Sequence, residues 1–226
     1  DLGNHIVTTQ IEHPAVMEVC AWLETQGFEV TYLPVDETGR IDVGELEAAL
    51  LPETILISVM HANNEVGTLQ PIEEIAALAQ RHEIAFHTDA AQSIGKVGVD
   101  VRALGVDLLT VAGHKLYGPK GVGVLFVHND IILEKFIHGA GHEMGWRAGT
   151  ENVLEVVGLG TACEIIADDL EKHAAHLNGL RDRLENTLLN GVSDIRVNGH
   201  AEHRLPNTLS VSFKGLDAED ILAEIS

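Results

Sequence analysis

The sequence lacks a long apolar run. It also has few basic residues and only two cysteines. No apolar stretch approaches the roughly 20 residues that cross a bilayer, so a membrane-spanning protein is not indicated. The 35 acidic residues outnumber the 14 basic ones and give a formal net charge of −21. That field would repel a nucleic acid, and the acidity is typical of a soluble cytoplasmic protein. We therefore expect no nucleic-acid partner and no membrane partner.

The two cysteines and thirteen histidines form no disulfide framework and no metal pattern. Cys20 and Cys163 lie among apolar residues at helical spacing, where a free cysteine behaves as a small hydrophobic side chain. We expect both thiols to be buried on helix faces and neither to be a nucleophile, because a reactive thiolate needs an exposed, electropositive setting. The histidines lack the paired spacing of a zinc site, so no metal site is predicted.

Strand-like and helix-like segments alternate along most of the chain. HIVTTQI (5–11) and TILISVMH (54–61) are typical of buried strands, and amphipathic segments such as PIEEIAALAQRH (71–82) lie between such runs. This alternation indicates an α/β protein with a mainly parallel sheet covered on both faces. From about residue 150 to residue 189 the pattern is helical, and strand signals then return.

Polar residues follow four of the predicted strands. In open parallel sheets, ligands bind beyond the carboxyl ends of the strands, so these residues are expected to meet there. They are Glu12 and His13 after the first strand, Asn63, Asn64 and Glu65 after TILISVMH, Asp89 and Gln92 after IAFHT, and His114 and Lys115 after DLLTVAG. Lys115 lies between Gly113 and Pro119 in a stiff loop, a setting that a solvated lysine does not need.

A lysine, a carboxylate, amides and an imidazole at one sheet edge suit pyridoxal phosphate. The aldehyde of this cofactor needs a lysine amine, and its ring nitrogen needs a carboxylate that keeps it protonated. Amides can donate to its phenolic oxygen, and an imidazole can stack on its ring. Its phosphate needs N–H groups, hydroxyls and positive charge, for which the sequence offers few candidates.

Several of these residues also have a structural interpretation. His13 could bond to the backbone at a helix start, Asn64 could occupy a turn, and Asp89 could cap a helix. Short motifs taken singly are weak evidence, and their combination with Lys115 favours the cofactor hypothesis. The residues expected to be structural are His61, His87 and Lys120.

Five segments resemble, in the same order and at compatible spacing, the motifs of the cysteine desulfurases. They are TQIEHPAV (9–16), MHANNEVGTLQPI (60–72), HTDAAQSIGK (87–96), AGHKLYGPKGVG (112–123) and RAGTENV (147–153). Cysteine desulfurases are pyridoxal-phosphate enzymes of aminotransferase class V, with the aspartate-aminotransferase-like fold type I. NNEVG and AGTENV are similar to the branch that serves nitrogenase and iron–sulfur cluster assembly.

The resemblance implies two catalytic residues. Lys115 would bind the cofactor aldehyde covalently and move the proton between the substrate's α-carbon and the cofactor. His13 would stack on the cofactor ring and take part in acid–base steps.

The resemblance also implies further cofactor-binding residues. Asp89 would face the ring nitrogen, and Asn64 and Gln92 would donate to the phenolic oxygen. His114 would lie on the phosphate side. Thr150 would reach the phosphate of the other subunit, which implies a homodimer with composite sites.

Two domains are implied as well. Residues 1–165 would form a pyridoxal-phosphate-binding large domain, and residues 166–226 a connecting helix with the start of a small α/β domain. Family members have an earlier threonine-bearing phosphate loop and continue to a catalytic cysteine loop and a carboxylate-binding arginine. We therefore expect a fragment that lacks both ends. Ala112 stands where many members have a serine, which would remove one hydroxyl from the phosphate site.

The activity implied for the parent enzyme is conversion of L-cysteine to L-alanine. The sulfur would pass as a persulfide to an acceptor protein for iron–sulfur cluster or thio-cofactor assembly. Without the cysteine loop, the chain alone is expected to be inactive. Another class V enzyme, such as a selenocysteine lyase, an aminotransferase or an epimerase, remains an alternative. So does a non-catalytic fragment that binds the cofactor or a partner.

Overall fold

The computed structural model describes residues 3–225, which contain one large sheet, one small sheet and six α-helices. The strands of the large sheet are β1 (His5–Thr9), β2 (Glu29–Leu33), β3 (Thr54–Ser58), β4 (Ala85–Asp89), β5 (Leu108–Ala112) and β6 (Gly123–Val127). The small sheet consists of β7 (Ile195–Asn198) and β8 (Ser210–Phe213). The helices are α1 (Pro14–Thr25), α2 (Val43–Ala48), α3 (Ile72–Arg81), α4 (Val101–Leu104), α5 (Val153–Gly191) and α6 (Ala218–Ile225).

The large sheet has the strand order β2-β1-β3-β4-β5-β6. The first five strands are parallel, and β6 pairs antiparallel with β5. This confirms the predicted mainly parallel α/β sheet. Parallel neighbours need crossover connections, and α1, α2 and α3 lie in three of them, as the alternating sequence pattern predicted.

The main hydrophobic core lies between one face of this sheet and helices α2 and α3. Val7, Ile57, Phe86 and Leu109 come from adjacent strands β1, β3, β4 and β5 and are all buried in it. Helix α3 contributes five buried residues, Ile72, Ile75, Ala76, Leu78 and Ala79. Burial of a large aliphatic or aromatic side chain stabilises a fold by about 1.5–3 kcal/mol, so this layer fixes the sheet as a platform.

The opposite face of the sheet carries a row of polar side chains. Ser58, His87 and Thr110 lie on β3, β4 and β5, and His87 hydrogen-bonds to both hydroxyls at 2.8 Å. Burial lowers the pKa of His87, so the imidazole is neutral near pH 7 and can accept from one hydroxyl while it donates to the other. The prediction that His87 is structural agrees with these contacts.

A loop after the small sheet's first strand contacts the chain that follows β3. Thr68 Oγ1 accepts from His200 N at 3.1 Å, Leu69 N donates to His203 O at 2.8 Å, and Leu205 N donates to Gly67 O at 2.8 Å. Arg204 anchors the same loop to α5 through a 2.7 Å ion pair with Glu185. These contacts hold the small sheet next to the NNEVG segment (63–67).

Helix α5 is continuous over 39 residues, and the predicted domain boundary at residue 165 falls inside it. The division into two domains stays a prediction. No helix within residues 3–225 combines the length and apolarity needed to cross a membrane. The short helix α4 was not predicted, because its four residues are fewer than two full helical turns.

The prediction that Cys163 is buried is wrong. Cys163 is exposed, and its neighbour Ile165 is 65% exposed. Leu159 is the one residue of α5 that is buried within the described part of the chain. Apolar residues at helical spacing indicate a helix face that other residues can bury. Within residues 3–225, no residues bury this part of α5. Cys20 is buried as predicted, and burial raises the pKa of its thiol.

Gly113 directly follows β5 and lies next to Val122, the residue before β6. Its N–H donates to Val122 O at 3.1 Å, and a Cβ at this position would lie 2.7 Å from that carbonyl oxygen. Two residues after Lys115, Tyr117 has a left-handed φ of 59°. The loop that carries Lys115 is thus set by a close backbone approach at its start.

We expect Gly113→Ala to destabilise the chain by about 1–3 kcal/mol, because an added Cβ must displace backbone rather than a flexible side chain. Urea unfolding measures the change. Gly98→Ala is the matched control, since a Cβ there meets nothing within 4 Å. Equal free energies of unfolding for the two variants would contradict the close packing at Gly113.

The two thiols are expected to react at different rates. A thiol reagent should label Cys163 in the folded chain and Cys20 only on unfolding, since Cys20 is buried and its pKa is raised. Mass spectrometry of digested protein locates the label, and Cys163→Ser should remove the fast phase. Rapid labelling of Cys20 with Cys163 protected would show that the assigned exposures are reversed.

Candidate functional site

A cavity of about 290 Å³ lies at the carboxyl edge of the large sheet. Six of the seven residues predicted to bind a cofactor line it, namely His13, Asn64, Asp89, Gln92, His114 and Lys115. The remaining lining residues are Ala15, Met60, Ala62, Ala91, Thr110 and Ala112. Apart from Thr110, which lies within β5, the lining residues follow or end β1, β3, β4 and β5, the strands whose ends the parallel pairing aligns.

Lys115 enters the cavity from a 3₁₀ helix, Gly113–Leu116, that begins directly after β5. The side chain is partly buried. Lys96 lies close enough that the charge of Lys115, together with burial as the larger cause, lowers the pKa of Lys96. Lys96 Nζ donates to Gln92 O at 2.7 Å and does not line the cavity. Lys115 is therefore the lysine available to a ligand.

Asp89 is the last residue of β4. Its Oδ1 accepts from Ala91 N at 2.8 Å in a turn, where the sequence had allowed a helix cap, and its backbone oxygen accepts from His61 N at 2.9 Å. Within residues 3–225, Oδ2 has no hydrogen-bond donor, so one carboxylate oxygen is free to bind a ligand in the cavity.

The two amides are oriented by neighbouring charged groups. Gln92 Oε1 accepts from Lys96 Nζ at 3.3 Å, which leaves the Gln92 amide nitrogen as the donor for a ligand. Asn64 Nδ2 donates to Glu65 Oε1 at 2.8 Å, and its second N–H stays available. Both amides can thus donate into the cavity, as the predicted role requires.

His13 combines the two interpretations that the sequence left open. Its Nδ1 accepts from Ala15 N at 3.1 Å and caps α1, while the ring also lines the cavity. Because Nδ1 is an acceptor, Nε2 carries the proton in the neutral ring. The helix cap therefore fixes both the tautomer and the position of the imidazole.

Thr150 is exposed and does not line the cavity. It was predicted to reach the site of a second subunit, and that role stays a prediction.

Thr110 lines the cavity and was not predicted. It is a polar residue within an apolar run, and β5 places its hydroxyl beside His87. The one signal in the sequence was a hydroxyl in a strand expected to be buried, because a buried hydroxyl needs a hydrogen-bond partner. Sequence patterns gave no reason to prefer this threonine over others.

The donor set suits pyridoxal phosphate. One amine, one carboxylate, two amides and two imidazoles face a cavity whose other walls include four alanines, which leave room for a flat ring. A volume of about 290 Å³ is just below the roughly 300–1,000 Å³ of typical ligand pockets. Thr110 is the one hydroxyl-bearing residue among the described lining residues. The site therefore offers fewer groups for the phosphate than for the rest of the cofactor.

Comparison with known proteins points to one family. The sequence profile described as "Aminotransferase class-V" matches residues 1–226. A protein named cysteine desulfurase IscS from Dictyoglomus turgidum is 46% identical over 223 residues, which are 99% of this chain and 57% of that protein. Its namesake from Methanosarcina thermophila is 48% identical over 98% of this chain and 55% of that protein. The chain thus spans little more than half the length of these relatives.

Solved structures show the same likeness. A NifS-like protein superposes with a TM-score of 0.93 at 39% identity, covering 99% of this chain and 62% of that one. DndA from Streptomyces lividans gives 0.89 at 36% identity, with 98% and 63% covered. A structure described as SspA in complex with cysteine gives 0.85 at 38% identity, with 100% and 63% covered. These likenesses confirm the predicted fold class.

Proposed function

Because the chain belongs to the class V aminotransferase family, we propose that it is the cofactor-binding part of a cysteine desulfurase. Members of this family depend on pyridoxal phosphate, as the motifs predicted. The observation that carries the proposal is that Lys115, Asp89, His13 and the two amides line the same cavity.

The proposal gives each of the six predicted lining residues a role. Pyridoxal phosphate, when bound, supplies an electron sink for the bonding electrons at a substrate's α-carbon. Lys115 holds the cofactor aldehyde through its amine and carries the proton to and from the α-carbon. Asp89 uses its free Oδ2 to keep the ring nitrogen protonated. Gln92 and Asn64 donate to the phenolic oxygen.

The imidazoles complete the proposed site. His13, fixed by its bond to Ala15 N, offers a flat surface to the cofactor ring and a protonated Nε2 to the substrate side. His114 is exposed at the cavity rim, where it can approach the phosphate.

The proposed substrate is L-cysteine. Relatives at 46% and 48% identity are named cysteine desulfurases, and one solved relative is described as a complex with cysteine. These names favour desulfuration over the other class V reactions. The overall reaction moves the substrate sulfur onto a protein thiol as a persulfide, leaves L-alanine, and passes the sulfur to an acceptor protein.

Neither described cysteine is placed to receive that sulfur. Cys20 is buried with a raised pKa, Cys163 is exposed on α5, and neither lines the cavity. The prediction that neither thiol is the nucleophile therefore remains in the proposal. Within it, residues 3–225 supply cofactor binding and proton transfer.

A homodimer is part of the proposal. Residues around the RAGTENV segment expose large apolar side chains, including Phe136 at 87%, Met144 at 89% and Leu154 at 83%. Large exposed apolar side chains are typical of an interaction surface, and Thr150 lies between Met144 and Leu154 in the sequence. Service to iron–sulfur cluster assembly and a cytoplasmic location stay predictions.

We expect borohydride to fix pyridoxal phosphate to Lys115. The purified chain mixed with cofactor should show a visible absorbance band, and peptide mapping after reduction should place the adduct on Lys115. Lys115→Ala should abolish the adduct, while Lys120→Ala, which alters an exposed lysine in the same loop, should keep it. An adduct on Lys96 or Lys120 in the wild type would contradict the assignment.

We expect the protein as its gene encodes it to form L-alanine and sulfide from L-cysteine in the presence of cofactor and a reductant. Lys115→Ala should lower kcat by at least about 10³-fold, because it removes both the covalent anchor and the proton carrier. Amino-acid analysis and sulfide determination follow the products. Turnover of another amino acid with L-cysteine untouched would overturn the proposed substrate and leave the cofactor site intact.

A further inference from the structure

Glu12 precedes His13 and is buried in the turn between β1 and α1, with 6% of its surface exposed. Its Oε1 accepts two hydrogen bonds, from Thr9 Oγ1 and from Met60 N, both at 2.8 Å. Met60 belongs to the segment after β3 and lines the cofactor cavity. The carboxyl therefore connects the turn that carries His13 to the segment that carries Asn64.

Asn63 connects the same two segments. It is buried, and its Nδ2 donates to Ile11 O at 3.1 Å. Its Oδ1 accepts from Glu65 N and Val66 N, both at 2.9 Å, and so shapes the turn around Asn64. Glu12 and Asn63 thus make two buried hydrogen bonds between these segments. The bonded residues are 48 and 52 positions apart in the sequence.

The second oxygen of Glu12 has no partner. Oε2 is buried and receives no hydrogen bond within residues 3–225, since both donors go to Oε1. An ionised carboxylate at this position would be a buried charge with no donor at Oε2 among the described residues, whereas protonation removes the charge and leaves one uncharged O–H, which costs less to bury. The geometry at Oε2 therefore suits the neutral acid.

The acidic groups around Glu12 also favour its neutral form, and one cation of the adjoining cavity, Arg196, opposes them. The Asp89 carboxylate, at the end of β4, contributes to raising the pKa of Glu12, and Glu12 in turn contributes to raising the pKa of the Cys20 thiol on α1. Glu12 also lines a second cavity, whose other charged residues are Asp36, Glu37, Glu65 and Arg196. Burial, with a smaller contribution from Asp89, raises the pKa of Glu12 to about 7 against the hydrogen bonds from Met60 and Thr9.

We propose that Glu12 is a positioning residue of the cofactor cavity, which as a neutral acid fixes His13 relative to Asn64. The proposal rests on the proposed function, because it assigns both walls to cofactor binding. This positioning role requires a hydrogen-bond acceptor at Oε1, for Thr9 Oγ1 and Met60 N, and an uncharged group at Oε2. A glutamine side chain provides both.

The pH dependence of stability follows from the raised pKa. The folded state keeps a proton on Glu12 that the unfolded chain loses above its ordinary pKa near 4.5. Stability from this residue is therefore full at low pH and falls as pH rises towards about 7. Glu12→Gln should remove this fall. Glu18→Gln, at an exposed position on α1, should leave it unchanged.

The test compares Glu12→Gln, Glu12→Ala and Glu12→Asp with the wild type. We expect Glu12→Gln to bind pyridoxal phosphate within about threefold of wild type, and the alanine variant to bind at least about tenfold more weakly, as loss of a buried link predicts. Aspartate is one methylene shorter and should not reach Met60 N, so it should resemble alanine. Absorbance titration measures the dissociation constants.

A measurement without cofactor separates this proposal from the proposed function. In the ¹³C-glutamate-labelled chain, the carboxyl signal that disappears in Glu12→Gln should titrate near pH 7, and thermal unfolding should show the altered pH dependence. An ordinary titration near pH 4.5, unweakened binding by the alanine variant, or equal losses for glutamine and alanine would each overturn the proposal. If the wild type binds no cofactor, the proposed function fails and the positioning role with it, while the titration still decides the state of Glu12.

Discussion

Parallel pairing of β1, β3, β4 and β5 is the constraint on which the site depends. Strands that run the same way end at the same edge, so residues up to about a hundred positions apart in sequence reach one cavity. His13, Asn64, Asp89 and Lys115 each follow or end a different one of these strands. The core behind the sheet, with Ile57 and Phe86 fully buried, holds those strand ends in register.

Buried polar contacts complete this arrangement where apolar packing ends. Ser58, His87 and Thr110 connect three strands by hydrogen bonds, and Glu12 connects β1's turn to the segment after β3. A buried polar group without a partner costs about 1–3 kcal/mol, so each link favours one geometry of the cavity floor. The loop anchored by Arg204 secures the NNEVG segment from the other side.

The sequence predicted the elements and the cavity residues for a physical reason, since strand periodicity and strand ends are local features. Residues such as Asp89 and Lys115 were found because they lie at the ends of predicted strands. Cys163 was misplaced because apolar spacing on α5 cannot tell whether other parts of the chain cover it. Glu12 was noted only as a polar residue after the first strand and Thr110 was not predicted, because their importance comes from long-range contacts, with Met60 and His87 respectively. No pattern in the sequence reports such contacts.

The central claim is that this sheet edge is a pyridoxal-phosphate site built on Lys115 and Asp89. A crystal structure of the chain grown with pyridoxal phosphate tests it most directly. We expect electron density continuous from Lys115 Nζ to the cofactor, with the Asp89 carboxylate at the ring nitrogen and the His13 imidazole against the ring. Density for the cofactor outside this cavity, or joined to Lys96 or Lys120, would contradict the claim.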